Sequence, residues 1–192
     1  MYHDLLRDAS FWSFLYAVDQ DLAKTACQKG CRCGGRLHRA NYPRKPRGGD
    51  RLPEEYSRRL SFCCDRDGCR KRVTPPSVRF LGRKVYLAAV VVLVAAMRHG
   101  PSPRRVGELA RLFGIDRRTI SRWQVFWCEH VPQTPFWKVA RGRFMPAVDV
   151  ATLPWSLLEA FRSDDLCQCV GNLLRFLSPI TIVSRPVIEL SG

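Results

Sequence analysis

The stretch Val106-Gly-Glu-Leu-Ala-Arg-Leu-Phe-Gly-Ile-Asp-Arg-Arg-Thr-Ile-Ser-Arg-Trp123 decides the fold of this 192-residue chain. Apolar residues recur at helical spacing on both sides of Gly114, with Leu109 and Phe113 before it and Ile115, Ile120 and Trp123 after it. Ala110 is the small residue expected where two helices cross, Gly114 falls in the tight turn, and Asp116 can N-cap the second helix. The pattern predicts a helix-turn-helix. The apolar run preceding it, within Lys84 to Arg98, supplies a core helix, giving a trihelical domain over residues 84–130. The outward face of the second helix carries Arg117, Arg118, Ser121 and Arg122, with Gln124 at its edge. Arginine reads guanine through two parallel hydrogen bonds and glutamine reads adenine. Arg104 and Arg105, with Arg111, are placed for phosphates. Trp123 and Trp127 fall at core spacing rather than on a stacking surface.

The charge distribution agrees. The chain carries 32 Lys+Arg against 17 Asp+Glu, a net +15. Residues 29–84 hold 17 basic and five acidic residues, net +12, and residues 98–143 hold ten and three, net +7. Residues 1–28 and 144–192 are each −2. A uniform arginine bias would spread evenly; a basic middle between acidic ends describes a surface for a polyanion, and double-stranded DNA is the expected partner.

Six of the nine cysteines form two groups, Cys27-Gln-Lys-Gly-Cys31-Arg-Cys33-Gly-Gly and Cys63-Cys64-Asp-Arg-Asp-Gly-Cys69. Clustered thiols in a reducing compartment point to metal, and two close pairs from two turns fit a tetrahedral zinc ion. The spacings C-x3-C, C-x-C and C-x4-C depart from C-x2-C. The best ligand set is Cys31, Cys33, Cys64 and Cys69, with Cys27, Cys63 and His38 as alternates. Gly34 and Gly68 stand where turns need a positive φ. Four cysteines fill the shell, so the zinc is expected to be structural. Cys128, Cys167 and Cys169 are read as packing residues.

The fold class expected is mainly α with a small β zinc-ribbon-like module. It divides into an N-terminal helix (1–26), the cysteine module (27–82), the helix-turn-helix domain (84–130) and a C-terminal helical region (131–192). Leu5, Leu6, Phe11, Phe14, Leu15 and Val18 line the first helix; Ser77-Val78-Arg79-Phe80 is β-prone; residues 42–49 read as an exposed loop; short helices fall near 154–162 and 164–178. The longest apolar run, Tyr86 to Met97, is shorter than the about 20 residues of a membrane span, and the start of the chain lacks a secretory pattern, so a cytoplasmic, nucleoid-associated protein is expected.

Taken together, the Cys31-x-Cys33-Gly-Gly knuckle, the Phe62-Cys63-Cys64-x4-Cys69-Arg knuckle and the stretch ending at Trp123 resemble the DNA-binding portion of bacterial insertion-sequence transposases and their small associated proteins, over residues 27–130. The resemblance implies binding to a mobile-element end or an operator, and a transposition or integration partner protein. Such transposases follow the helix-turn-helix with a domain that sets three carboxylates around two metal ions. The later acids here, Asp149, Glu159, Asp164, Asp165 and Glu189, show no strand framework for one, so no catalytic residue is assigned. The expected function is sequence-specific DNA binding by a non-catalytic transposition accessory factor or transcriptional regulator. The alternatives are a catalytically active transposase or nuclease fragment, and a zinc-dependent RNA-binding protein using the arginine-rich segment 42–51. A homodimer on two half-sites would use the apolar residues from Leu157 to Leu177.

Overall fold

Helices dominate the chain, and two small antiparallel sheets lie between the first long helix and the rest. A computed structural model describes residues 2–48, 52–81, 86–96 and 102–181. The ends of the expected helix 84–98, residues 49–51 of the arginine-rich segment, and Glu189 lie outside these residues.

The chain starts with a short helix α1 (Tyr2–Leu5) and a long helix α2 (Ala9–Gln28). The single helix expected over 4–26 is divided because Asp8 takes the N-cap, with extended backbone and a carboxylate that accepts the Ser10 N–H at 2.8 Å. Phe11, Trp12, Leu15 and Val18 make the buried stripe of α2, while Phe14 stands at its exposed edge. Asp19 is buried on the same stripe.

Strands β1 (Leu37–Arg39), β4 (Phe62–Cys64) and β5 (Arg72–Val73) form one sheet in the order β1-β4-β5. Strands β2 (Tyr42–Pro43) and β3 (Arg58–Arg59) form a second. The stretch 42–49 is therefore not simply an exposed loop: it opens as a strand, and Gly48 is buried. Ser77–Phe80, in turn, forms no strand. It is a buried irregular segment whose backbone groups find other partners: the Val78 N–H donates to Asp19 at 2.7 Å, and the Arg79 carbonyl accepts from Ala88 at 2.9 Å. Only Phe80 makes a bridge, to Leu87.

Helix α3 (Ala88–Ala95) is apolar and buried on every side, as a helix without a polar face must be. It packs on α5 (Arg117–Val125) and, more lightly, on α9 (Leu166–Leu177). Helix α4 (Pro103–Phe113) joins α5 through Gly114-Ile115-Asp116, with Gly114 at φ +63°. Asp116 caps α5, accepting the Thr119 N–H at 2.6 Å. Phe113, Ile115, Ile120 and Trp123 are buried and Leu109 packs against the core. Ala110 does not hold the crossing position expected of it: it is exposed. It lies about 100° round the helix from Leu109, and Leu112 shares the inner stripe instead.

The helical path does not stop near residue 130. It continues through a wider turn, Phe126–His130, into α6 (Val131–Gln133) and α7 (Pro135–Ala140). Pro132 and Pro135 each fall in the first turn of a helix, where a missing N–H costs nothing. Helices α8 (Trp155–Ala160) and α9 follow where expected. Their residues Leu157, Leu158, Leu173, Leu174 and Leu177 are buried within the chain's own core. One hydrophobic cluster draws on α2, the 78–81 segment, α3, the α4–α5 pair and α8–α9, so the four stretches read from the sequence share a core. The β1-β4-β5 sheet contributes nothing to that cluster and stands off from it.

Candidate metal centre and nucleic-acid face

The Sγ atoms of Cys31, Cys33, Cys64 and Cys69 lie within 4.8 Å of one another, close enough to share a metal ion. Two pairs are closer, Cys31–Cys69 at 3.7 Å and Cys33–Cys64 at 3.5 Å. A tetrahedron with metal–sulfur bonds of about 2.3 Å has edges of about 3.8 Å, so the thiols stand near the spacing such an ion requires.

Local structure explains the set. Cys31 and Cys33 sit on a turn closed by the Gly34 N–H on the Cys31 carbonyl at 2.8 Å, with Gly34 at φ +83°. Cys64 ends β4, and Cys69 follows a turn with Gly68 at φ +79°, a backbone that side chains beyond glycine adopt at a cost. Gly35 is needed for another reason: a Cβ there would meet the Cys64 Sγ at 2.5 Å. The pleat then separates the adjacent thiols. Cys63 and Cys64 leave β4 on opposite faces, and the paired residue of Cys63 is His38. Cys63 instead lies against the Arg70 carbonyl at 3.4 Å, and His38 Nε2 against Asp65 Oδ2 at 3.2 Å. Cys27, at the end of α2, meets the Leu37 carbonyl at 3.7 Å. None of the three alternates joins the cluster.

The cluster is electrostatically uneven. The Gly35 N–H, followed by the Cys69 thiol, holds Cys33 down to about 6. At Cys64 the Arg66 N–H favours the thiolate, but burial and the hydrogen bonds of the other three thiols outweigh it and push the group up to about 12. A divalent cation bound here would hold its ligands as thiolates, so binding would release thiol protons.

The remaining cysteines behave as packing residues. Cys169 is buried with its thiol toward the Leu158 carbonyl at 3.6 Å, and Cys128 is half-buried toward the Ala151 carbonyl at 3.6 Å. Desolvation raises both thiols above their ordinary value.

On α5, Arg117, Arg118, Ser121 and Arg122 are exposed and Gln124 is half-buried. The Ser121 hydroxyl donates back to the Arg117 carbonyl at 3.2 Å, and Arg122 Nη2 donates to Thr119 Oγ1 at 3.1 Å. Arg104 reaches Glu108 at 3.4 Å along α4, an exposed pair worth little. Arg111 is exposed; Arg105 lies in α4, and its side chain is outside the described residues. Val125, which the sequence reading passed over, is 42 % exposed and continues the outward face one turn beyond Ser121 and Arg122. Trp123 and Trp127 are buried in the core. Among the described residues no helix is long and apolar enough to cross a membrane.

Fold and site together define a mainly helical protein with a four-cysteine cluster at the turns of its small sheet and, separately, a helix α5 whose exposed face is basic. No family model, curated protein or solved structure matches the chain.

Proposed function

We propose that the chain binds double-stranded DNA in a sequence-specific way, with α5 as the recognition helix of a helix-turn-helix and the four-cysteine module closed by a structural zinc ion. The observation that carries the reading is the two-sidedness of α5: Thr119, Ile120 and Trp123 are buried while Arg117, Arg118, Ser121 and Arg122 face solvent on a capped helix. A helix held by one side and offering guanidinium groups on the other is what a major groove accepts. Val125 adds a methyl surface suited to thymine. Arg104 can exchange the Glu108 carboxylate for a phosphate, with Arg105 and Arg111 alongside.

Zinc is the ion that suits four soft donors in a tetrahedron, and a shell of four thiolates leaves no open position for catalysis. The ion and its thiolates sum to two negative charges, which Arg32, Arg36, Arg66, Arg70 and Lys71 of the same module offset. The role fitting these parts is that of a transcriptional regulator or a non-catalytic accessory factor in transposition, with a partner protein supplying any strand chemistry.

The test is duplex binding by fluorescence anisotropy. With about six phosphate contacts, affinity should fall by about 10³ between roughly 50 and 200 mM salt. An affinity that does not move with salt rejects the reading. Cleavage of the same duplex with Mg²⁺ or Mn²⁺ would favour a nuclease instead.

A further inference from the structure

The corner that follows α7 joins positive charge to exposed apolar groups, and neither the thiol cluster nor α5 uses it. Residues 131–148 carry Lys138, Arg141 and Arg143 and no acidic residue. All three cations are exposed, and none joins an ion pair among the described residues. Val139 and Met145, 80 % and 93 % exposed, are the two most exposed large apolar side chains among those residues. The corner is anchored from behind. Trp137 and Ala140 bury the opposite side of α7. The Phe144 ring lies 6.5 Å from that of Trp137 and 5.2 Å from that of Phe176 on α9. The Phe144 N–H closes the turn on the Arg141 carbonyl at 3.3 Å. Scattered exposed apolar residues are ordinary. Two within seven residues, beside three unopposed cations on an anchored turn, mark a contact surface.

We propose that this corner enters the minor groove of the duplex whose major groove receives α5, with Lys138, Arg141 and Arg143 on phosphates and Met145, beside Val139, pressed against a base step. This contact rests on the DNA reading of α5. Three cations without an acid select a polyanion. A small apolar tip among cations is what a minor groove accepts: arginine and lysine follow the narrow, negative groove, and a methionine-sized wedge unstacks a step and kinks the duplex by about 20–90°. A lipid surface is the poorer match. An interfacial helix presents a long apolar face, whereas α7 has six residues and packs Phe136 and Trp137 inward. The reach also fits. Gln124 and Lys138 lie fourteen residues apart on a helical path interrupted at Thr134, hence within about 25 Å of each other. The minor groove flanking a major-groove site is half a helical turn away, about 17 Å.

The experiment is resonance energy transfer between dyes at the two ends of a duplex recovered by oligonucleotide selection, bound by the full zinc-loaded chain, with the salt dependence of affinity measured alongside. Wild type should bring the ends together, as a kink of about 20° or more requires. The double variant Val139→Ser, Met145→Ser should bind the duplex and leave it straight. Both side chains are exposed, so its circular dichroism and Tm should match wild type. The triple variant Lys138→Gln, Arg141→Gln, Arg143→Gln should lower the salt slope by about 2–3. A chain that binds no duplex overturns this contact together with the reading of α5. Salt-dependent, sequence-specific binding that leaves the duplex straight overturns the minor-groove contact alone. So does a kink that survives the double variant, or an unchanged salt slope in the triple variant. Loss of binding to phosphatidylglycerol vesicles in these variants, with duplex binding and kink intact, overturns it in favour of a lipid surface.

Discussion

Arg79 donates its Nε–H to Asp19 Oδ2 across 2.7 Å with both side chains wholly buried. Asp19 accepts two further hydrogen bonds, from the Ser77 hydroxyl and the Val78 N–H, each at 2.7 Å. The guanidinium also lies 4.8 and 4.9 Å from the rings of Tyr16 and Tyr56, and the Tyr56 hydroxyl donates to the Trp12 carbonyl at 2.6 Å. This network ties α2 to the segment leading into α3. Removing one member strands the other as a buried charge, so Asp19→Ala or Arg79→Met should each cost about 3–5 kcal/mol of unfolding free energy. Replacing both by apolar residues should cost less than the two single changes together. Urea unfolding with unchanged m-values is the measurement; a single variant within about 1 kcal/mol of wild type would remove the network from the account of stability.

The metal prediction turns on adjacent residues. Elemental analysis should give one zinc ion per chain. Cys64→Ser should lose it and lower Tm, while Cys63→Ser, on the other face of β4, should keep both ion and Tm. Gly35→Ala should act like a weakened ligand, because its methyl would stand 2.5 Å from the Cys64 sulfur. Zinc retained in Cys64→Ser but lost in Cys63→Ser would reverse the assignment.

How much of this was legible depends on the range of each contact. The knuckle turns were readable, since Gly34 and Gly68 announce their positive φ beside the cysteines they serve. So were the Asp116 cap and the buried Ile120 and Trp123, which follow from local spacing. The choice between Cys63 and Cys64 was open because it depends on the register of β4 against β1, and alternation becomes decisive only once that pairing is known. The Asp19–Arg79 pair spans 60 residues and carries no local mark beyond one acid on an apolar helix face. Ser77–Phe80 has strand propensity, but its backbone is engaged by Asp19 and α3 rather than by a neighbouring strand. Ala110 misled for a related reason: the crossing position follows from how α4 is rotated, and Leu109, Leu112 and Phe113 fix that rotation.

Asp116 makes a pH prediction. The Thr119 N–H, then the Thr119 hydroxyl, holds its carboxyl below the usual range. A carboxyl lowered by folding contributes stability that is present above its unfolded value near 3.8 and is lost as pH falls through its lower folded value. Wild type should therefore lose α5 helicity on acidification through that window. Asp116→Ala should bind duplex DNA more weakly at neutral pH and show no such loss, measured by circular dichroism and anisotropy across the acid range. Identical acid profiles for the two proteins would separate the cap from the stability of α5.

On the proposed DNA reading, Arg122 and Arg104 test base reading against phosphate contact. Arg122 is exposed on the middle of α5, and its hydrogen bond to Thr119 Oγ1 at 3.1 Å orients the guanidinium before any partner arrives. Such a group loses little freedom when it meets a base edge. Arg122→Ala should cost about 1–3 kcal/mol on the preferred sequence, recovered by oligonucleotide selection, and much less on unrelated duplexes. Arg104, on α4, is paired among the described residues with an exposed glutamate, an i,i+4 contact that does not fix its guanidinium. Arg104→Ala should weaken every sequence alike and reduce the salt slope by about one. If Arg122→Ala instead lowers affinity equally on all sequences, the proposed base-reading role of Arg122 is rejected in favour of a phosphate contact.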